Sequence, residues 1–174
     1  MIYPVEANDK KRIKDMKPDV RKRVRIGVIG GANPAPEFRK TAYEVGKLIA
    51  KKQAVLVCGG LWGVMEAAAK GNKEAGGISI GVLPGRSIKD ANPYIDIPIA
   101  TGLGYTRNAL VVMNSDVLIA INGHYGTLSE IAYGLIQEKK VIGLGTWDIK
   151  GVIEADTPEQ AVDLALKQYF PLVR

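Results

Sequence analysis

The chain has 174 residues, of which 47% are hydrophobic and 24% are charged. These values are typical of one globular domain with a sizeable core. Its single cysteine, Cys58, excludes an intramolecular disulfide and a cysteine-based metal cluster. No apolar run approaches the roughly 18 residues of a membrane span, and the N-terminus lacks a signal-peptide core. We therefore expect a cytoplasmic protein with no membrane partner and no bound metal.

The formal charge of +6 is concentrated at the N-terminus. Nine of the 24 Lys and Arg residues lie within residues 1–25, together with four of the 18 acidic residues. This distribution predicts a basic arm over residues 1–23, followed by one nearly neutral domain over residues 24–174. The arm is either a solvated extension or an anion-binding one. Because the domain itself is nearly neutral, a nucleic-acid partner is not expected.

Aliphatic runs typical of strands alternate along the chain with segments of helical periodicity. The pattern predicts an α/β, Rossmann-like, doubly wound fold with a mainly parallel sheet of about six or seven strands and helices on both faces. In such a sheet, ligands bind beyond the carboxyl ends of the strands, at the point where the strand order reverses. The predicted strands are 24–30, 54–58, 78–83, 95–99, 116–121, 140–144 and 152–154, and the predicted helices are 37–52, 63–75, 105–114, 127–138 and 157–169.

Two predicted strands run through glycines directly into the start of a helix. The first loop contains Gly59, Gly60, Gly63 and Met65, and the second spans residues 123–127. Helix N-termini offer unpaired amides and a positive dipole end, and glycine lets a phosphate approach the backbone closely. Neither loop is a P-loop, because no Gly-Lys-Ser/Thr follows at the required spacing. Both loops are candidate phosphate sites.

Thr127 and Glu130 have two interpretations. Their Thr-x-x-Glu spacing at a predicted helix start is that of a capping box, which satisfies two backbone amides and has no further role. Alternatively, the Glu130 carboxylate lies at the mouth of the phosphate loop, where it acts on a sugar hydroxyl or a water molecule. The spacing alone leaves both interpretations open.

The two loops carry a family resemblance. Residues 123–130, Gly-His-Tyr-Gly-Thr-Leu-Ser-Glu, resemble the P-G-G-x-G-T-x-x-E signature of the LOG-like proteins. Residues 59–65, Gly-Gly-Leu-Trp-Gly-Val-Met, resemble that family's earlier G-G-x-x-G-x-M loop. The family includes cytokinin-activating phosphoribohydrolases and molybdenum-cofactor carrier proteins, and the resemblance extends from about Val24 to Phe170.

The resemblance implies roles for individual residues. Arg107 and Glu130 correspond to the catalytic pair of the hydrolases, which cleave the N-glycosidic bond of a nucleoside 5′-monophosphate to a free base and ribose 5-phosphate. The alternative is a non-catalytic carrier or sensor whose ligand is a nucleotide or the molybdenum cofactor. No cofactor is expected to be required, and the expected ligand is an AMP-like nucleotide or the molybdenum cofactor. The implied phosphate- and nucleotide-binding residues are Gly59, Gly60, Gly63, Met65, Gly123, His124, Tyr125, Gly126 and Thr127.

Two positions depart from the hydrolase pattern. His124 replaces the second glycine of the signature, where its side chain either crowds the phosphate or donates a hydrogen bond to it. Asn108 follows Arg107 where the hydrolases have a lysine, which is closer to the carrier-like branch.

The predicted helix over residues 105–114 contains the run Ala-Leu-Val-Val-Met, which is too broad an apolar surface for one buried face. The resembled family is commonly dimeric. We therefore expect a homodimer that uses this helix and the helix predicted to begin at Thr127.

Overall fold

The computed structural model describes residues 19–167 and residue 169, so most of the predicted basic arm lies outside the described residues. Short 3-10 turns occur at Val20–Lys22, Ile88–Asp90 and Gly104–Arg107. The strands are β1 (Arg25–Gly30), β2 (Val55–Cys58), β3 (Ile78–Leu83), β4 (Ile97–Ala100), β5 (Val117–Ile121), β6 (Val141–Leu144) and β7 (Val152–Glu154). The helices are α1 (Pro36–Lys51), α2 (Val64–Glu74), α3 (Asn108–Met113), α4 (Tyr125–Ile136) and α5 (Pro158–Leu166).

The seven strands form one sheet in the order β4-β3-β2-β1-β5-β6-β7, and every neighbouring pair is parallel. Strands β1 to β4 follow one another from the centre of the sheet to one edge. The chain then crosses back to the centre, where β5 lies on the other side of β1. This reversal creates a crevice between the carboxyl ends of β1 and β5, because the connections that follow them leave in opposite directions. The predicted doubly wound, parallel fold is confirmed.

Helices cover both faces of the sheet. On one face, α1, α2 and α5 pack on side chains that include Ile26, Ile119 and Ile142. On the other face, α3 and α4 pack on side chains that include Ile29 and Leu118. Successive residues of β5 point to opposite faces, as strand geometry requires, and all five are buried. This double burial explains why the central strands are continuous aliphatic runs in the sequence.

Two glycines allow α1 and α2 to approach each other closely. A Cβ on Gly46 would strike the carbonyl oxygen of Ala68, and a Cβ on Gly71 would strike that of Tyr43. The side-chain amide of Asn72 donates a hydrogen bond to the Gly46 carbonyl at 3.2 Å across the same contact. This contact helps to set the position of α2, whose N-terminus lies beside the crevice.

Three predicted helices differ from the observed ones by more than one residue at an end or in continuity. The segment predicted as one helix over residues 105–114 is a 3-10 turn at Gly104–Arg107 followed by α3. The helix predicted to begin at Thr127 begins at Tyr125, and it ends at Ile136 shortly before Glu138, which has a positive φ of 55°. The last helix ends at Leu166 instead of extending to residue 169. Within the described part of the chain, no helix is long and apolar enough to cross a membrane.

Candidate functional site

A cavity of about 290 Å³ lies beyond the carboxyl ends of β1, β2 and β5. We call it the switch-point cavity. Its walls come from the end of β1 and the loop after it, from the loop before α2, from the 3-10 turn before α3, and from the start of α4. The lining residues are Val28, Ile29, Gly30, Gly31, Ala32, Gly59, Leu61, Met65, Tyr105, Arg107, Asn108, His124, Gly126, Thr127 and Glu130.

The N-terminus of α4 forms one wall of this cavity. The first main-chain hydrogen bond of the helix is donated by Leu128 to the carbonyl of His124, at 2.9 Å. The amides of Tyr125, Gly126 and Thr127 therefore precede the intrahelical ladder, and the N-cap residue His124 makes no side-chain capping bond. The amides of Gly126 and Thr127, two residues that line the cavity, and the positive end of the helix dipole are available to an anion.

The capping-box interpretation of Thr127 and Glu130 is wrong. Because the N-cap of α4 is His124, Thr127 is the third helical residue and Glu130 the sixth, so they do not occupy the N-cap and third positions that a Thr-x-x-Glu capping box requires. Both side chains are buried and line the cavity. Their spacing coincides with that of a capping box, but the helix begins two residues earlier than the sequence predicts.

Arg107 supplies a buried cation to the same cavity. Its residue is only 7% exposed, and its Nε and Nη1 atoms are buried without a hydrogen-bond partner. A Cβ on Gly59 would strike Nη1, so the glycine leaves the space that the guanidinium occupies. Burial lowers the pKa of Arg107, whereas the nearby Glu130 raises it. The guanidinium remains charged, since arginine does not lose its proton in proteins.

Glu130 is the acidic group of the cavity. It is 7% exposed, and among the described ion pairs none joins it to Arg107. Burial raises the pKa of Glu130 to about 8, and the charge of Arg107 only partly opposes this shift. Burial therefore favours the neutral form of the carboxyl group, while Arg107 keeps its charge. This arrangement favours an anionic ligand in the cavity.

The predicted site residues separate into two groups. Gly59, Met65, Arg107, His124, Gly126, Thr127 and Glu130 line the cavity together, whereas Gly60, Gly63, Gly123 and Tyr125 do not line it.

The three glycines outside the cavity have packing roles at its edge. Gly60 accepts hydrogen bonds from the main chain and side chain of Asn92, and its φ is +75°. Gly63, with φ +73°, packs on the carbonyls of Gly31 and Ala32. Gly123, with φ +108°, packs on Thr127. Each positive φ is a conformation that favours glycine.

His124 stands at the mouth of the cavity. Its backbone is extended, with φ −116° and ψ −155°, so this position does not require glycine. The side chain is exposed and lines the cavity. The replacement of glycine by histidine therefore adds an imidazole to the entrance without straining the turn.

The sequence analysis missed the loop after β1. Gly30, Gly31 and Ala32 line the cavity, and the Gly31 carbonyl accepts a hydrogen bond of 3.0 Å from the Val64 amide at the start of α2. The reversal of strand order could have identified this loop, because β1 is one of the two strands at the crevice.

Asn108, which departs from the hydrolase pattern, has a structural role at the site. Its side-chain amide donates to the Gly126 carbonyl at 3.4 Å and to the Ser129 hydroxyl at 3.2 Å. The Ser129 hydroxyl in turn donates to the Gly126 carbonyl at 2.6 Å. Asn108 therefore ties the segment that carries Arg107 to the first turn of α4.

The raised pKa of Glu130 predicts a pH-dependent stability difference between the wild type and Glu130→Gln. Its ordinary value is 4.5, so the native state binds the proton more tightly than the unfolded state between about pH 4.5 and pH 8. The stabilisation is full below that window and is lost as the pH rises through it, by at most about 1.4 kcal/mol per pH unit. Glutamine does not titrate, so the variant should gain stability relative to the wild type from about pH 5 to pH 8.

Urea unfolding across this pH range measures the difference, with Glu159→Gln, an exposed glutamate at the start of α5, as the matched control. A constant difference between wild type and Glu130→Gln would show that the pKa of Glu130 is not raised.

Comparisons with known proteins agree with this architecture. A molybdenum cofactor binding protein from Rippkaea orientalis is 38% identical, with a TM-score of 0.81, and the match covers 85% of this chain and 98% of that one. The molybdenum cofactor carrier protein of Chlamydomonas reinhardtii is also 38% identical, with a TM-score of 0.76 and coverage of 84% and 98%.

Two sequence relatives extend the comparison. An uncharacterized protein of Archaeoglobus fulgidus is 46% identical over 147 residues, which are 83% of this chain and 96% of the relative. A probable cytokinin riboside 5′-monophosphate phosphoribohydrolase of Oryza sativa is 32% identical over 99 residues, which are 54% of this chain and 43% of the relative. The model of the SLOG cluster4 family matches residues 23–169, and the chain belongs to this family.

Proposed function

We propose that the protein is a carrier that binds a phosphorylated heterocycle in the switch-point cavity, with the molybdenum cofactor or an AMP-like nucleotide as its ligand. The observation that carries this proposal is the buried, charged guanidinium of Arg107, which lines the same cavity as the free amides at the start of α4. A phosphate group accepts hydrogen bonds from the helix amides and offsets the charge of the guanidinium.

The cavity also suits the rest of such a ligand. Gly126 leaves room at its wall, and Leu61, Met65 and Tyr105 provide apolar surface for a ring. The volume of about 290 Å³ is near the lower end of small-molecule sites. A pterin or purine ring joined to a phosphate has the required combination of an apolar face and an anionic end. When bound, the molybdenum cofactor would be cargo, and the residues of this chain would hold its phosphate and cover its ring.

The protonation state of Glu130 favours a carrier over a hydrolase. Cleavage of an N-glycosidic bond passes through an oxocarbenium-like state, which a negatively charged carboxylate stabilises. With a pKa of about 8, Glu130 is mainly neutral at physiological pH. A bound phosphate adds negative charge and raises this pKa further. The molybdenum cofactor binding protein of Rippkaea orientalis and the molybdenum cofactor carrier protein of Chlamydomonas reinhardtii match nearly the whole domain, which supports the same conclusion.

Phosphoribohydrolase activity is the second candidate. Arg107 and Glu130, the pair that the family resemblance implies for this reaction, both line the cavity. The rice relative supports this candidate over 99 residues. A fraction of Glu130 is ionised near neutral pH and could act on the ribose or on an attacking water molecule.

The phosphate site predicts the effect of Arg107→Ala on ligand affinity. Removal of a buried charged donor should weaken AMP binding about tenfold or more, because a hydrogen bond to a charged group contributes about 1.5–3 kcal/mol. Isothermal titration with AMP measures the change. The matched control is Arg39→Ala, which removes an exposed arginine on α1 that pairs with Glu66 at 3.4 Å. Equal affinities for wild type and Arg107→Ala would place the phosphate elsewhere.

Base release separates the carrier from the hydrolase. We expect the wild type to bind AMP and to release no adenine, as measured by chromatography of the incubated mixture. Release of adenine that disappears in Glu130→Gln, while AMP affinity changes only a few-fold, would establish the hydrolase instead.

A homodimer is the proposed assembly. Glu130 is the only charged residue of α3 and α4, and it is buried. At the C-terminal ends of these helices, Met113 is 59% exposed and Ile136 is 75% exposed. The neighbouring Lys139 donates hydrogen bonds to carbonyls at the end of α3, among them that of Val112 at 2.7 Å. An uncharged helical face with large apolar residues at one end suits a second copy of the chain.

Light scattering at micromolar concentration should give about twice the chain mass of 18.7 kDa. Ile136→Lys should shift the protein to the monomer, because a charge would be buried without a partner in the interface. Ile88→Lys, at an exposed isoleucine outside both helices, is the control and should leave the dimer intact. A monomeric wild type would refute the assembly.

A further inference from the structure

A second cavity, of about 260 Å³, lies at the carboxyl ends of β6 and β7. We call it the aromatic groove and define it by Gly143, Thr146, Trp147, Asp148 and Glu154, which are among its lining residues. A Cβ on Gly143 would come within 2.9 Å of the Thr146 side chain and within 3.0 Å of the Val152 side chain. The groove is outside the switch-point cavity, and the proposed carrier function leaves it unused.

The groove begins beside the same helix N-terminus that serves the switch-point cavity. Tyr125, the first residue of α4, is 80% exposed, and the centroid of its ring lies 6.2 Å from that of Trp147, which is 37% exposed. The two rings are tilted by 32°. Because β5 lies between β1 and β6, the start of α4 has the switch-point cavity on one side and the aromatic groove on the other.

Hydrogen bonds tie the groove to the turn that precedes α4. The Thr146 hydroxyl donates to the Asn122 carbonyl at 2.7 Å, and the Asn122 amide donates to the Leu144 carbonyl at 3.1 Å. The loop that carries Trp147 and the turn that presents the free amides are thereby held together. The indole ring has a defined position relative to the anion site.

In the part of the chain that the structure describes, the groove is lined by acidic side chains and by no basic one, whereas Arg107 lines the switch-point cavity. Asp148 and Glu154 line the groove, and neither takes part in the ion pairs found among the described residues. Carboxylates accept hydrogen bonds and donate none when ionised. A guanine-like ring presents an amino group beside a ring N–H, so both can donate to a carboxylate. Adenine presents a ring nitrogen acceptor beside its amino group, which a carboxylate repels.

We propose that the aromatic groove is a second ring-binding subsite, which takes a guanine-like heterocycle joined through phosphates to the group held in the switch-point cavity. The ligand class is a dinucleotide-type molecule, with its phosphates at the start of α4 and one ring on each side. This inference rests on the proposed phosphate site. Stacking on Trp147 supplies affinity, and the two carboxylates select the ring by its N–H donors.

Isothermal titration with three probes tests the proposal. The probes are AMP, the dinucleotide in which AMP and GMP are joined by a 5′–5′ pyrophosphate, and the matching diadenosine compound. We expect the mixed dinucleotide to bind about tenfold tighter than AMP, as expected when one further ring is stacked. The affinity for the diadenosine compound should exceed that for AMP by a smaller factor, because its second ring lacks the paired N–H donors.

Variants of the groove residues test whether the higher affinity for the mixed dinucleotide arises in the groove. Trp147→Ala should lower the affinity for the mixed dinucleotide to that for AMP and leave AMP affinity unchanged, whereas Trp147→Phe should keep most of the gain. Trp62→Ala removes a second exposed tryptophan, which lines neither cavity, and should change neither affinity. Asp148→Asn combined with Glu154→Gln should abolish the preference for the mixed compound over diadenosine, and Glu159→Gln should preserve it.

Three results would overturn the subsite. In the first, AMP and the mixed dinucleotide bind equally well, so the phosphate site stands and the groove is not used. In the second, Trp147→Ala weakens AMP and the dinucleotide to the same extent, which is the effect of a damaged fold. In the third, none of the three probes binds to the wild type, and the proposed phosphate site fails together with the subsite.

Discussion

A buried arginine without hydrogen-bond partners is the constraint around which the site is organised. A charged guanidinium loses much of its hydration when it is buried, and its unpaired N–H groups add to that cost. Among the residues that the structure describes, the Nε and Nη1 atoms of Arg107 have no hydrogen-bond partner, and the neighbouring Glu130 makes no direct ion pair with it. Such an arrangement is unfavourable for the empty protein and favourable for a bound anion. The fold therefore maintains a site whose electrostatics an anionic ligand would complete.

Close backbone packing makes this arrangement possible. Gly59 leaves the volume that the guanidinium fills, and Gly63 allows the loop before α2 to pack on the loop after β1. Asn108 links the 3-10 turn of Arg107 to the first turn of α4 through Gly126 and Ser129. The cation and the free helix amides come from segments that are distant in sequence, and these contacts hold them on one cavity.

Under the proposed function, the choice between a carrier and a hydrolase depends on the protonation of one carboxyl group. Burial without a direct ion pair favours the neutral form of Glu130, which can donate a hydrogen bond to a bound ligand but does not offset positive charge on a sugar. Closer contact with Arg107 would lower the pKa of Glu130 and favour its charged form.

The sequence by itself determined the fold class and the candidate loops. Alternating aliphatic runs and helical periodicity predicted the parallel sheet, because strands buried on both faces and amphipathic helices have different repeats. The glycines before α2 and α4 marked two loops that border the cavity, and the family resemblance singled out Arg107 and Glu130. Only the tertiary structure decided the start of α4, since its N-cap, His124, makes no side-chain bond that a motif could reveal. It also decided the protonation of Glu130, because burial depends on how strands and helices pack. The lining of the cavity by Gly30, Gly31 and Ala32 and the pairing of Tyr125 with Trp147 depend on contacts between segments that are distant in sequence.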